Sequence, residues 1–200
     1  MTTVKVLIEG FAEELDGFEQ VSPSLVLIEN DVIKIIVDPG FNREELLNAL
    51  KRENIETGQI NYVVLTHNHL DHCLLVGVFE NAIILDNSDQ YLQNGIIKRQ
   101  NKDMLGGDIQ LLLTPGHDPF HCSVLVETED MGKVVVAGDI FWWLKGEEPS
   151  KDFDSLLNLY DPYVKNEVAL KESRKKVLDI ADYIIPGHGK MFKNQKKMEV

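Results

Sequence analysis

The chain is 200 residues long and 44% hydrophobic, enough to bury a full core as one domain over 1–200. Its formal net charge of −13 opposes unassisted binding to nucleic acid, whose phosphates demand a basic surface, so a small-molecule substrate is expected instead. No apolar run approaches the roughly 20 residues of a membrane-spanning helix, and Met1-Thr2-Thr3-Val4-Lys5-Val6 lacks a signal pattern, so the expectation is a cytoplasmic protein with no membrane partner.

In chain order, Val4–Ile8, Ser24–Ile28 and Val32–Val37 are rich in β-branched and aliphatic residues and read as strands. The last two are joined by a Glu29-Asn30-Asp31 turn, as in a hairpin. After Asp38-Pro39-Gly40, Asn42 with Glu45 three places on reads as a capping box that opens a helix through Leu46, Leu47 and Leu50. The apolar run Asn61–Leu65 is a further strand, and a short buried helix is expected over Leu74–Phe79 before a strand at Ala82–Leu85. Cys73 and Cys122 cannot make the dense disulfide framework of a small secreted domain and read as free thiols that behave as small hydrophobes.

The second half repeats the scheme. Strands are expected at 109–113, 122–128 and 133–138, the last two joined by a Glu129–Gly132 turn. A helix is expected over about 162–181, with Pro162 in its first turn and Val164, Val168, Val177 and Ala181 at helical spacing. The basic stretch Arg174-Lys175-Lys176 and the tail from Lys190 to Lys197 read as a solvated helix face and a solvated tail. Phe141-Trp142-Trp143-Leu144 are candidates for core, for a homodimer interface or for one wall of an apolar pocket. Mixed strands and helices without strict alternation indicate an α+β fold, with two sheets packed face to face and helices outside.

The chemistry lies in the strand-end segments. Thr66-His67-Asn68-His69-Leu70-Asp71-His72 crowds three imidazoles and a carboxylate together, a density that is costly unless something binds it. Neutral imidazole and carboxylate suit zinc, iron and manganese. Thr114-Pro115-Gly116-His117, Ala137-Gly138-Asp139 and Pro186-Gly187-His188-Gly189 each follow a strand-like run and deliver one more ligand-type residue at its end. His121 begins a strand, so spacing does not aim it at the metals. Asp38 is equally a turn residue or a carboxylate that orients a ligand histidine.

In order, Asp38, the His67–His72 segment, His117, Asp139 and His188 resemble the five motifs of the metallo-β-lactamase superfamily. The resemblance implies a four-layer αβ/βα sandwich and two divalent metal ions, most often zinc, with iron and manganese as alternatives. By the same resemblance His67, His69 and His117 hold one metal, Asp71, His72 and His188 hold the second, and Asp139 bridges them, with Asp71 and Asp139 as the candidate catalytic carboxylates. The implied activity is a dinuclear hydrolase whose bridging hydroxide attacks a small ester, thioester or lactone. A phosphodiesterase or RNA endonuclease and an iron-dependent sulfur dioxygenase are the alternatives. Leu74 and Leu75 stand where related sequences tend to carry Gly-Asn, which removes polar groups beside the site.

Overall fold

Continuous runs of β-branched and aliphatic residues make both faces of the central strands apolar, so two sheets pack face to face and the helices cover the outer faces. A computed structural model describes residues 1–100 and 104–195; the tail residues Lys196 and Lys197 lie outside the described residues. The elements of the first half are β1 (Thr3–Ile8), β2 (Phe11–Leu15), β3 (Phe18–Ser22), β4 (Leu25–Glu29), β5 (Lys34–Val37), α1 (Arg43–Arg52), β6 (Tyr62–Val64), α2 (Leu70–Cys73), β7 (Ile83–Leu85), β8 (Asp89–Tyr91) and β9 (Ile97–Arg99). Seven of these strands form a sheet in the order β1-β4-β5-β6-β7-β8-β9, while β2 and β3 pair only with each other. The second half supplies β10 (Ile109–Leu113), β11 (Cys122–Thr128), β12 (Gly132–Trp142), α3 (Phe153–Leu157), α4 (Glu167–Ile180), β13 (Tyr183–His188) and β14 (Phe192–Lys193). Its five strands are ordered β10-β11-β12-β13-β14.

Between the sheets, Val26, Ile28, Ile35, Val37 and Val64 of the first pack with Ile109, Val124, Val126, Val134, Val136 and Ile185 of the second. The opposite faces of the same strands take the helices. Leu46, Ala49 and Leu50 of α1 cover Leu27, Ile36 and Val63, and Leu170, Val177 and Leu178 of α4 cover Val135 and Ile184. The result is the expected four-layer sandwich. Asn42 caps α1 by accepting from the Glu45 N–H, which is the N-cap half of the expected capping box.

Several expectations need correcting. The helix expected over Leu74–Phe79 is instead α2, within the ligand segment, followed by a 3₁₀ turn at Val76–Val78; Leu74 is exposed and Phe79 buried. The long helix starts at Glu167, capped by Asn166, so Pro162 lies outside it and Val168 is 69% exposed. Asparagine captured the start because its side chain accepts from the Ala169 N–H, which proline's φ restriction cannot replace. Arg174 is buried rather than solvated: its guanidinium donates to the carbonyls of Ile140, Leu157 and Leu159, which satisfies most of a charge that burial pushes down to about 10. Lys175 pairs with Asp179 on the surface, and Lys176 donates to the Leu113 carbonyl.

Candidate metal centre

The ligand segments converge because they leave neighbouring strand ends on the same side of the sandwich. Parallel pairing of β5 with β6, and of β12 with β13, sets Asp38 beside the Thr66–His72 loop and Asp139 beside His188. Ligand atoms of His67, His69, His117 and Asp139 lie within 4.8 Å of one another, and so do those of Asp71, His72 and His188. Asp139 faces both groups. Its Oδ2 is 3.6 Å from His67 Nε2 and 3.5 Å from His117 Nε2, while its Oδ1 is 3.2 Å from His72 Nε2 and 3.7 Å from His188 Nε2. All seven residues named from the sequence are therefore brought together.

In four of the five histidines, His67, His72, His117 and His188, the inward nitrogen is set by a hydrogen bond on the far side of the ring. His72 Nδ1–H donates to Asp38 Oδ2 at 2.8 Å, His117 Nδ1–H to Asp161 Oδ2 at 2.8 Å, and His188 Nδ1–H to the main-chain carbonyls of Phe11 and Ser22. Thr66 gives its only hydroxyl hydrogen to Asp38 Oδ2, so its oxygen accepts from His67 Nδ1–H at 3.0 Å. These partners leave the inward Nε2 atoms as lone-pair donors. Asp38, in a left-handed conformation at φ 51°, also accepts from the Thr66 N–H, which makes it a histidine-orienting carboxylate as well as a turn residue. Asp161 was missed in the sequence; it sits 44 residues from His117, in a loop with no pattern around it.

The donor set fits cations. His72 and His188 point their Nε2 atoms at each other across 3.4 Å, and His117 Nε2 lies 3.2 Å from His69 Nδ1. His67 Nε2 and Asp139 Oδ1 are buried without a hydrogen-bond partner. Burial opposes charge on His67, His69, Asp71, His72, Asp139 and His188. At His72 the Asp139 and Asp38 carboxylates overcome it and hold the imidazolium well above its usual range, and Asp139 raises His188 to about 9. Burial and the neighbouring His72 push His67 well below its usual range. Asp139 is held low against burial by His72 and His188. Adjacent imidazoles thus cannot all charge, and metal ions bound there would supply the missing positive charge without protons.

His121 lies outside this group. Its Nδ1–H donates to Thr114 Oγ1, whose hydroxyl in turn donates to Ser123 Oγ, and Ser123 donates to the Ala137 carbonyl. Burial lowers its pKa from 6.5 to about 3. It folds neutral, so the stability it confers is complete above 6.5 and is lost as pH falls toward 3, when the unfolded chain takes a proton that the folded chain refuses. His121→Gln should flatten that acid limb in urea midpoints measured from pH 7 to pH 4; equal slopes in the two proteins would contradict it.

A cavity of about 380 Å³ opens onto the centre, lined by His69, Asp71, Asp139 and His188 on its floor and by Trp142, Leu144, Pro162 and Tyr163 on one wall. The opposite wall is the hairpin β2–β3, through Ala12, Glu13, Glu14, Glu19 and Val21. This hairpin was not anticipated, although Asp16-Gly17, with Gly17 at φ 85°, is a hairpin-turn signal between its strands. Trp142 reaches the cavity, whereas Trp143 is buried against Phe141 and Phe192. Cys73 packs at the edge of the α1 core, and Cys122 is fully buried.

A two-sheet sandwich with a histidine and aspartate cluster at one edge defines a class, and the chain belongs to the metallo-β-lactamase superfamily. The family model of that description matches residues 17–86. Metallo-β-lactamase domain-containing protein 1 of Xenopus laevis is 30% identical over 96% of this chain and 81% of its own length. The rat protein of the same name is 36% identical over 80% of this chain, which spans 62% of that protein. An N-acyl homoserine lactonase of a Bacillus species is 33% identical over 67% of this chain and 61% of its own length. A solved Thermotoga maritima structure of the metallo-β-lactamase type superposes with a TM-score of 0.70 at 23% identity, covering 96% of this chain and 99% of that one.

Proposed function

We propose that the protein is a dinuclear metal-dependent hydrolase of a small ester, thioester or lactone. The observation that carries this reading is Asp139, whose two oxygens face two separate sets of ligand atoms. His67, His69 and His117 would hold one ion, Asp71, His72 and His188 the other, and Asp139 would serve both, with zinc as the favoured metal. Such ions would lower the pKa of a bound water and neutralise the charge that develops on a carbonyl oxygen.

The chain's own residues do the rest. Asp38, Asp161, Thr66 and the Phe11 and Ser22 carbonyls hold the imidazoles in one tautomer, so no reorganisation is needed when substrate arrives. Asp71 lines the cavity at its floor and is the carboxylate placed to take a proton from the attacking water and return it to the leaving oxygen or sulfur. Trp142, Leu144 and Val21 hold the apolar part of the substrate away from water. The lactonase relative supports a ring ester as substrate, and the acidic wall opposes a polyanion such as RNA.

The test has two parts. Metal analysis of protein prepared without chelator and with metal supplied should give two equivalents; one or fewer would sink the dinuclear site. A panel of p-nitrophenyl esters, acyl thioesters and lactones, run with zinc-, manganese- and iron-loaded enzyme, should show metal-dependent turnover, with single-stranded RNA and bis-p-nitrophenyl phosphate almost inert. RNA cleavage with every carbon ester inert would replace this reading by the endonuclease.

A further inference from the structure

The cavity wall carries a charge arrangement that hydrolysis of a neutral ester does not call for. In the β2–β3 register Glu14 stands directly opposite Glu19, one cross-strand step outward from Ala12 and Val21 on the same face. Like charges placed opposite each other destabilise a strand pair. Glu19 accepts from the Tyr163 hydroxyl at 3.2 Å, and Glu14 has no ion-pair partner among the described residues. Glu13 is neutralised by Lys145, but the residues lining the cavity include no lysine or arginine. The sequence has none between Lys5 and Lys34 either, so the whole hairpin is a negative surface.

Across from the glutamate pair stand two aromatic rings, Trp142 and Tyr163, with centroids 6.0 Å apart. Carboxylates and aromatic rings lining one cavity suit a quaternary or primary ammonium group, since the ring quadrupole and the anion both attract it. The cavity that these groups line has a volume of about 380 Å³, room for a ligand beyond the ions its floor would hold. The hairpin base holds His188, and three residues of extended strand separate Phe11 from Glu14, about 10 Å.

We infer that the substrate carries a cationic group, an amine or quaternary ammonium roughly 10 Å from the bond that is cleaved, which docks between Glu14, Glu19, Trp142 and Tyr163. This rests on the hydrolase reading above and names its substrate class. The cation is bound at the outer half of the cavity, where the carboxylates also offset the repulsion it would feel from metal ions at the floor.

The experiment compares a p-nitrophenyl ester ending in trimethylammonium with its tert-butyl isostere on zinc-loaded protein. The cationic ester should have kcat/KM about tenfold higher at low salt, and E14Q/E19Q should bring the two esters to near parity. Binding is read separately, from quenching of tryptophan fluorescence by phenyltrimethylammonium against tert-butylbenzene, with the double variant losing about tenfold in affinity. Removal of a like-charge pair should leave the thermal midpoint equal or higher, which separates lost binding from lost folding. Equal kcat/KM for the two esters, or quenching that survives in E14Q/E19Q, would overturn the inference. If no ester is turned over, the hydrolase reading fails, and the fluorescence titration alone still decides whether the cation site exists.

Discussion

Asp139→Ala should abolish ester hydrolysis, with kcat falling on the order of 10³-fold or more, and should leave the protein with at most one tightly held metal. The carboxylate is the only group whose oxygens approach both His67 with His117 and His72 with His188 among the described residues. Its removal leaves His72 and His188 facing each other with only Asp38 and Asp71 to favour their charge. His121→Ala is the matched comparison, because that ring bonds away from the cluster and its metal content should be unchanged. Equal metal content in Asp139→Ala and His121→Ala would overturn the assignment of the bridge.

Gly116→Ala should lower stability by on the order of 3 kcal/mol, a fall of about 6–12 °C in thermal midpoint for a chain of this size. Gly116 has φ 143°, which an L side chain rarely adopts, and a Cβ there would sit 2.3 Å from Leu170 N and Cα at the start of α4. Its carbonyl also accepts from the N–H groups of Lys165 and Asn166, so the turn and the helix entrance are one unit. The added carbon must push α4 away from the loop that carries His117, so metal affinity should fall with stability. Gly77→Ala is the control, since nothing lies within 4 Å of its Cβ position. Indistinguishable melting of the two variants would show that the loop and helix yield cheaply.

What could be read in the sequence was whatever is local. Apolar runs such as Val134–Val136 and Ile35–Val37 are strands because each is buried on both faces, and three histidines and an aspartate within one loop need no third dimension to be noticed. The hairpin β2–β3 escaped because it lies in neither sheet and half of its strand residues are polar, although the Asp16-Gly17 turn was visible. The strands β8 and β9 escaped for a similar reason, being short and barely buried. Asp161 and Arg174 depend on contacts made across the fold. Arg174 looked like one of three consecutive bases, and only the loop carbonyls of Leu157 and Leu159 explain why it is inside while Lys175 is out.

The hairpin grips the metal centre through its main chain alone: the Phe11 and Ser22 carbonyls take the His188 proton, and Gly10 bridges to Gly189. Carbonyls are the same whatever side chain they carry. Under the proposed function, the outer residues from Glu13 to Gln20 can therefore change with no new demand on the main-chain bonds that hold His188. Selectivity and reactivity are thus mechanically separable here, and a laboratory library confined to that tip would sample new substrates on an unchanged engine.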